Sequence, residues 1–260
     1  MALLADAGHN LGDVAGLAAA WTAHALSQKS PSQRYTYGLR SSSMLAALIN
    51  SAALLVITGG IAWEAVRRLF EHNPVPGPTV MAVAAVGILV NGATAALFAA
   101  GSKGDINVRG AFLHMVSDTL VSVGVVAAGA VIWLTGWSLI DPLLCLGISA
   151  LIILSSVGLL KESLGMVMQA VPKSIDPAEV GHLLSDWPGV TGIHDLHIWP
   201  MSTTETALTC HLVMPGGHPG DLALAEICSA LDQKFKIGHA TLQIETDENF
   251  ACPLEPAHVV

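Results

Sequence analysis

The stretch PLLCLGISALIILSSVGLL, residues 142–160, contains no charged side chain and is long enough to cross a lipid bilayer. A bilayer core about 30 Å thick needs roughly 20 apolar helical residues. The whole chain has the same character, because 52% of its 260 residues are hydrophobic, only 12% are charged and the mean hydropathy is +0.59. The sequence therefore predicts an integral membrane protein.

Four other stretches match this one in length and composition. None shows the alternation of polar and apolar residues that a β-barrel requires, so the spans are predicted to be helices. We predict an α-helical membrane bundle of five spans, at about residues 2–26, 43–66, 79–101, 110–134 and 139–160. The sequence Gly136-Trp137-Ser138 supplies a tight turn between the last two spans.

The loop charges predict which ends face the cytoplasm, because Lys and Arg in short loops stay on the cytoplasmic side. One side has only two of them, Arg67 and Arg68. The other side has seven: Lys29, Arg34, Arg40, Lys103, Arg109, Lys161 and Lys173. The C-terminal part is therefore predicted to be cytoplasmic. Five spans would then leave Met1 outside without the basic region of a signal peptide, so we expect one N-terminal span to be missing from this chain.

The C-terminal part has the pattern of a soluble domain. All of the formal net charge of −9 lies after Leu164, where three Lys stand against twelve Asp and Glu. Such an acidic domain suits cations and not nucleic acid. We predict a helix opening at Asp176, strands over 190–199 and 206–214, a helix over 221–235 and a strand over 240–245. This αββαβ order predicts an α+β ferredoxin-like domain.

These patterns also predict the domain boundaries. The transmembrane domain is expected at residues 1–165, a linker at 166–172, a cytoplasmic metal-binding and dimerisation domain at 173–250 and a tail at 251–260. The four cysteines have no CxxC spacing, so neither a disulfide framework nor a thiolate zinc knot is indicated.

Two of the predicted spans contain the same pair of polar residues. His9 and Asp13 are four residues apart, as are His114 and Asp118, so each pair lies on one helical face. Ionisable groups inside a membrane are costly and mark functional sites, and two such faces together would present four nitrogen and oxygen ligands suited to Zn²⁺. The alternative for either pair is a structural hydrogen bond inside the membrane. Asp6 is either an acceptor that orients His9 or a headgroup-level residue.

These residues resemble a known family, the cation diffusion facilitators, and in particular their zinc-exporting branch of the bacterial cobalt-zinc-cadmium efflux type. The similar motifs are LLADAGHNLGDV (residues 3–14), YTYGLRSSSMLAALIN (35–50), GAFLHMVSDTLVSVGVV (110–126), TGWSLIDPLLCLGISALIILSSVGLLKES (135–163) and GVTGIHDLHIW (189–199). The resemblance implies six spans, of which the first has no counterpart here. It also implies that His9, Asp13, His114 and Asp118 form the transport site, with a preference for zinc or cadmium.

The cytoplasmic domain contains a second candidate set, His194, His211, His239 and Glu245, which the resemblance implies is a cytosolic metal site. His194 and His211 lie on the predicted hairpin, and His239 and Glu245 flank the last strand, so the four could converge at one end of the sheet. The alternative is that these are ordinary solvated residues. Cys252 is a weaker candidate for a fifth ligand. Regular strand pairing would put His197 on the opposite face from His194, as a packing residue.

The expected function is proton-coupled efflux of Zn²⁺, and also Cd²⁺ and Co²⁺, from the cytoplasm. Imidazole ligands release protons when metal binds, which couples metal to proton movement. No GxxxxGK[ST] phosphate loop occurs, so no nucleotide is expected. The resemblance implies a homodimer in the bacterial inner membrane, with Zn²⁺ both as substrate and as regulatory ligand. Two alternatives are a non-transporting metal sensor subunit and, less favoured for want of a general base, a membrane metalloenzyme.

Overall fold

The computed structural model describes residues 21–23, 25–70, 77–99, 106–247 and 252–255, and it describes only the backbone of residues 77, 79, 80, 98, 106–114 and 117. Four long helices come first: α1 Ser42–Phe70, α2 Gly77–Ala99, α3 Ile106–Thr135 and α4 Ile140–Val167. They are followed by α5 Pro177–Ser185, β1 Gly192–Pro200, β2 Thr206–Val213, α6 Asp221–Phe235 and β3 Ile237–Glu245. The described residues divide into two compact units, one with residues 49–160 and the other with residues 21–48 and 161–255.

The long helices confirm the prediction of an apolar helical bundle. Within the described residues, three helices are long and apolar enough to cross a membrane, namely Ser42–Phe70, Asp118–Thr135 and Ile140–Val167, and a shorter apolar helix covers Met81–Leu97. Large apolar side chains on these helices face outward, as expected for a surface solvated by lipid. The predicted span at residues 2–26 lies almost wholly outside the described residues.

Small side chains allow the helices of the first unit to pack closely. Ala65, Ala84, Val125 and Cys145 are completely buried in one apolar cluster. Helix α2 runs against α3, where a Cβ atom placed on Gly92 would lie 3.9 Å from Cγ2 of Thr119. Small residues at helix contacts are the usual solution in membranes, because lipid supplies no hydrophobic force between helices.

The two last long helices are joined by the predicted turn. Gly136 has a φ of +70°, and its N–H donates to the carbonyl of Ile132 at 2.8 Å. This left-handed conformation costs glycine little, since glycine has no Cβ atom. The prediction of a tight turn between α3 and α4 is therefore confirmed.

The cytoplasmic part has the predicted αββαβ order. Its three strands form one sheet in the order β1-β2-β3, with β1 antiparallel to β2 and β2 parallel to β3. Helix α6 makes the crossover that parallel strands need. Leu208, Cys210 and Leu212 on β2 face the apolar core formed with α5 and α6, which leaves His211 on the opposite face.

Helix α5 begins with the predicted cap. The side chain of Asp176 accepts a hydrogen bond of 2.9 Å from the N–H of Ala178, and Pro177 occupies the first helical turn. The carboxylate satisfies a backbone donor that the helix leaves open, and proline has no N–H to satisfy there. Val180 and Leu184 then fall on the buried side of the helix.

Residues 35–43, which precede the apolar part of α1, contact the turn between β1 and β2. Arg40 forms an ion pair with Glu205, and the N–H of Thr203 donates to Oγ of Ser43 at 3.2 Å. The ring of Tyr37 meets that of His239 edge-on, with centroids 5.6 Å apart. The second unit therefore includes this segment as well as the αββαβ domain.

Candidate metal centres

One candidate site lies on helix α3, where the predicted transport residue Asp118 is only 4% exposed. His114 precedes it by one helical turn, so the two positions share a helical face. The side chain of His114, together with His9 and Asp13, lies outside the described residues. A buried carboxylate in an apolar span is costly unless a partner or an ion compensates it, which makes this position a functional candidate.

Other polar residues lie next to Asp118 along the packed pair of helices. Thr119, the residue after Asp118, packs against Gly92 of α2. Asn91 is the residue before Gly92 on that helix. Asn91 is 8% exposed, and Ser122, one turn beyond Asp118, is completely buried. The contact between α2 and α3 thus concentrates polar groups in an otherwise apolar bundle.

The second candidate site lies in the cytoplasmic domain. Ligand atoms of His194, His211, Glu245 and Cys252 all lie within 4.8 Å of one another. Oε1 of Glu245 is 2.8 Å from Nδ1 of His211 and 3.3 Å from Nε2 of His194, while Sγ of Cys252 is 3.7 Å from Nδ1 of His211. His211, Glu245 and Cys252 are buried, so the cluster is largely withdrawn from water.

An irregularity in β1 shapes this cluster. His194 pairs with His211 and His197 with Thr209, so Asp195 and Leu196 together stand opposite one residue of β2. Asp195 adopts the left-handed conformation, with a φ of +51°, which aspartate tolerates better than most residues. The extra residue returns His197 to the same face as His194, which corrects the expectation of regular pairing.

The bulge places the carboxylate of Asp195 between two imidazoles. Oδ1 lies 2.9 Å from Nε2 of His197, and Oδ2 lies 3.6 Å from Nε2 of His211. The side chain of His197 is 42% exposed and bound to Asp195, so its sequence-based interpretation as a packing residue is corrected. Because Nδ1 of His211 faces the cluster, Asp195 is placed to orient that ring from the other side. The sequence signal for this role was an aspartate, tolerant of the left-handed region, between the two histidines of HDLH.

The electrostatics of the cluster favour an ionised Glu245 carboxylate, which both histidines contact, and a protonated Cys252 thiol. Burial by itself raises the pKa of Glu245, but hydrogen bonds with Cys252 and His211 and the charges of the two histidines outweigh it, so the pKa is lowered. A backbone hydrogen bond involving Leu254 lowers the pKa of Cys252, but burial and the Glu245 carboxylate together raise it. In the absence of a cation, Glu245 is therefore the negative group and Cys252 the neutral one.

Cys210 lies beside the cluster but differs from Cys252. Burial, together with the Asp195 carboxylate, raises the pKa of Cys210 to about 12. Its Sγ faces the carbonyl oxygens of His194 and His211 at 3.6 and 3.4 Å. Cys210 therefore stays a thiol at neutral pH and belongs to the core of the domain.

The cluster fits a tetrahedral Zn²⁺. Bonds of about 2.0–2.3 Å hold the ligand atoms of such an ion roughly 3.3–3.7 Å apart, which matches the His194–Glu245 and His211–Cys252 distances of 3.3 and 3.7 Å. The 2.8 Å hydrogen bond between His211 and Glu245 must lengthen by about half an ångström when the ion enters. Nε2 of His194 is buried and makes no hydrogen bond to any described residue, so an ion there would satisfy it.

The structure brings together three of the four predicted cytoplasmic ligands and adds Cys252. His239 shares the outer face of β3 with Glu245, but six residues separate them, or about 20 Å of extended strand. His239 pairs with Ala207 in the sheet and contacts Tyr37, so it lies apart from His194 and His211. Cys252 reaches the cluster from the segment after the end of β3. Its sequence position, without CxxC spacing to another cysteine, had made it only a weak candidate ligand.

Comparisons with known proteins agree with a membrane domain followed by a cytoplasmic domain. Residues 1–168 match the family described as "Cation efflux transmembrane domain", and residues 172–247 match "Cation efflux protein, cytoplasmic domain". The zinc transporter ZitB of Escherichia coli (strain K12) is 38% identical over 247 residues, which cover 94% of this chain and 79% of that protein. The "Cadmium, cobalt and zinc/H(+)-K(+) antiporter" of Bacillus subtilis (strain 168) is 34% identical over 252 residues, which cover 95% and 81% respectively.

A solved structure described as "Metal-bound C-terminal domain of the CzcD transporter from Cuprividus metallidurans" is 38% identical in sequence, covers 27% of this chain and 99% of that chain, and has a TM-score of 0.26. The two family matches together account for nearly the whole sequence, the apolar helices and the αββαβ domain falling in separate matches. The chain belongs to the cation diffusion facilitator family of cation efflux proteins.

Proposed function

We propose that this membrane protein exports divalent metal ions, chiefly Zn²⁺ and also Cd²⁺ and Co²⁺, from the cytoplasm across the bacterial inner membrane in exchange for protons. The observation that carries the proposal is the buried Asp118 in an apolar helix, one turn after His114. The names of the relatives support it, because one is called a zinc transporter and another a cadmium, cobalt and zinc antiporter. As a member of a transporter family, the chain is not an enzyme.

The proposed transport site consists of His9, Asp13, His114 and Asp118. Two imidazoles and two carboxylates form a nitrogen and oxygen ligand set that suits Zn²⁺. The imidazoles must be deprotonated to bind the ion, so arriving metal displaces protons and arriving protons displace metal. If the site opens alternately to each side, this competition couples outward movement of Zn²⁺ to inward movement of protons.

The cytoplasmic cluster is proposed as a second, regulatory zinc site. His194, His211 and Glu245 supply three ligands, and the short distance between Cys252 and His211 supports Cys252 as the fourth. A bound cation would offset part of the negative charge of this domain, which contains twelve acids against three Lys. We further propose that the domain joins two copies of the chain in a homodimer, since the outer face of β3 is exposed at Thr241 and Gln243.

Zinc flux measured in proteoliposomes tests the transport proposal. The full chain is reconstituted with a zinc-sensitive dye inside the vesicles, and a pH gradient is imposed. We expect dye signal from the unmodified chain and none from Asp118→Asn, which removes a charged ligand. Asp141→Asn is the matched control, because Asp141 is also a buried carboxylate on a membrane helix but has Trp137 and not a histidine four residues before it.

Two outcomes would contradict the proposal. Equal flux from the Asp118→Asn variant would remove Asp118 from the transport site. Zinc binding without any flux under a pH gradient would instead favour a sensor that binds metal without transporting it.

A further inference from the structure

A cavity of about 550 Å³ lies within the second unit, away from the metal cluster. Its walls come from the end of α4, the segment that follows it, the turn between β1 and β2, and the end of α6. Its volume falls in the range of small-molecule sites. Three lysines line it: Lys161, Lys173 and Lys236.

These lysines are a large share of the basic residues in this part of the sequence. After Arg109 the chain contains only four Lys or Arg, and three of them line this one cavity. The fourth, Lys234, places its Nζ 4.9 Å from the ring centroid of Phe235. After Leu164 the sequence has twelve acids against three Lys, so this clustering concentrates positive charge where the surrounding sequence is negative.

The acids that line the cavity are already paired. Glu162 lies 3.3 Å from Lys173, and Glu205 forms its ion pair with Arg40. Lys161 and Lys236 form no ion pair with any residue that the structure describes. Two positive charges are therefore left over for an anion.

The remaining lining offers hydroxyl groups and an apolar floor. Ser174, Thr203 and Thr206 add hydroxyls, and Met166 and Phe235 add apolar surface. Lysines with hydroxyl donors suit a phosphate group, while the apolar surface suits the glycerol and acyl parts attached to it.

The position of the cavity in the sequence indicates the source of the phosphate. Lys161 directly follows the uncharged stretch 142–160, where a membrane helix leaves the hydrocarbon core. Basic residues at the cytoplasmic end of a span attract anionic lipid headgroups, with a contribution of about fivefold in affinity for each Lys. The position of Lys161 at the end of this apolar stretch is where lipid phosphates are expected.

We propose that this cavity is a binding site for a phosphate-bearing anion, and that its ligand is the headgroup of an anionic phospholipid. Lys161 and Lys236 bind the phosphate, and the hydroxyl residues and the apolar floor accommodate the rest of the headgroup. The proposal does not depend on zinc export, because none of the proposed metal ligands lines the cavity.

Calorimetric titration of the full chain in a non-ionic detergent tests the site. The probes are dioctanoyl phosphatidylglycerol, dioctanoyl phosphatidylcholine and inorganic phosphate. We expect phosphatidylglycerol to bind and the double variant Lys161→Gln/Lys236→Gln to bind it roughly 30-fold more weakly. Lys234→Gln is the matched control, with the same charge change two residues from Lys236 but outside the cavity lining, and it should bind as the unmodified chain does.

The outcomes separate the two sources of phosphate. Charge-dependent binding of phosphatidylglycerol but not of phosphatidylcholine supports the lipid headgroup. Charge-dependent binding of inorganic phosphate, with no preference between the two lipids, supports a phosphate site but overturns the lipid assignment. Binding of no probe, or equal weakening by Lys234→Gln, overturns the site. Lys161→Arg/Lys236→Arg should retain affinity, which distinguishes loss of charge from loss of folding.

Discussion

Nδ1 of His211 lies 2.8 Å from Oε1 of Glu245, although 34 residues separate them and they lie on different strands. The parallel pairing of β2 with β3 sets Glu245 beside Val213, two residues from His211 on the same face of the sheet. The same carboxylate oxygen is 3.3 Å from Nε2 of His194. One carboxylate oxygen thus lies within 3.3 Å of a nitrogen atom of each imidazole, close to the separation of ligand atoms around a bound metal ion.

Removal of His194 and removal of His239 should have different effects on cytoplasmic zinc binding. His194 belongs to the cluster, whereas His239 lies at the other end of β3. We expect His194→Ala to weaken binding by more than the roughly 10–100-fold that loss of an outer partner costs, and His239→Ala to leave it unchanged. The measurement is a zinc titration in an Asp118→Asn background. Equal losses from the two variants would contradict the structural assignment.

Replacement of Cys252 should reduce the number of protons that zinc binding releases. The raised pKa of Cys252 keeps it a thiol at neutral pH, and only its thiolate binds metal. We expect Cys252→Ser to release about one proton fewer per zinc ion, measured by calorimetry in buffers of different ionisation enthalpy. Cys228→Ser, at a half-buried position on α6, is the control and should release the normal number. An unchanged count in Cys252→Ser would mean that the thiol is not a ligand.

Charge removal at Asp195 should weaken zinc binding without removing a ligand. Its carboxylate lies 3.6 Å from Nε2 of His211 and 2.9 Å from Nε2 of His197. Asp195→Asn retains tolerance of the left-handed backbone but loses the charge, and we expect a 10–100-fold loss of zinc affinity. Asp186→Asn, at the end of α5, should have no effect in the same titration. If the two variants bind zinc equally well, Asp195 does not position His211.

The ionised Glu245 should stabilise the metal-free protein at neutral pH and lose this effect in acid. Its pKa is lower in the folded protein than the usual value of 4.5, so its stabilising contribution is complete above that value and disappears as the pH falls through the folded pKa. Thermal unfolding with a chelator should therefore show Glu245→Gln less stable than the unmodified chain at pH 7. The difference should shrink below about pH 4. A difference that stays constant across this range would contradict the lowered pKa.

Exchange of one transport ligand should change the preferred ion. His114→Asp replaces an imidazole by a carboxylate, and carboxylate ligands prefer harder ions. We expect flux in proteoliposomes to shift from Zn²⁺ toward Mn²⁺, with the unmodified chain in matched vesicles as reference. Unchanged selectivity would remove His114 from the transport site.

Much of the fold followed from local sequence. The sequence pattern predicts helix α6 over 221–235, as observed at Asp221–Phe235, and it also predicts the Asp176 cap of α5. Strand β3 begins three residues earlier than predicted, at Ile237, because pairing with β2 continues past the polar His239. Strand ends depend on the partner strand, which a single stretch of sequence does not contain.

The sequence by itself determined the membrane helices and the order αββαβ, because apolar length and periodicity are local properties. The resemblance to the cation diffusion facilitators, and not periodicity, indicated His194, His211 and Glu245 as candidate ligands. Only the tertiary structure decided which residues meet. The bulge at Asp195 places His197 on the same face of the sheet as His194, the register of β3 keeps His239 away from the metal cluster, and the segment after β3 brings Cys252 to the cluster. These results depend on contacts between distant segments, where a shift of one residue moves every side chain to the other face.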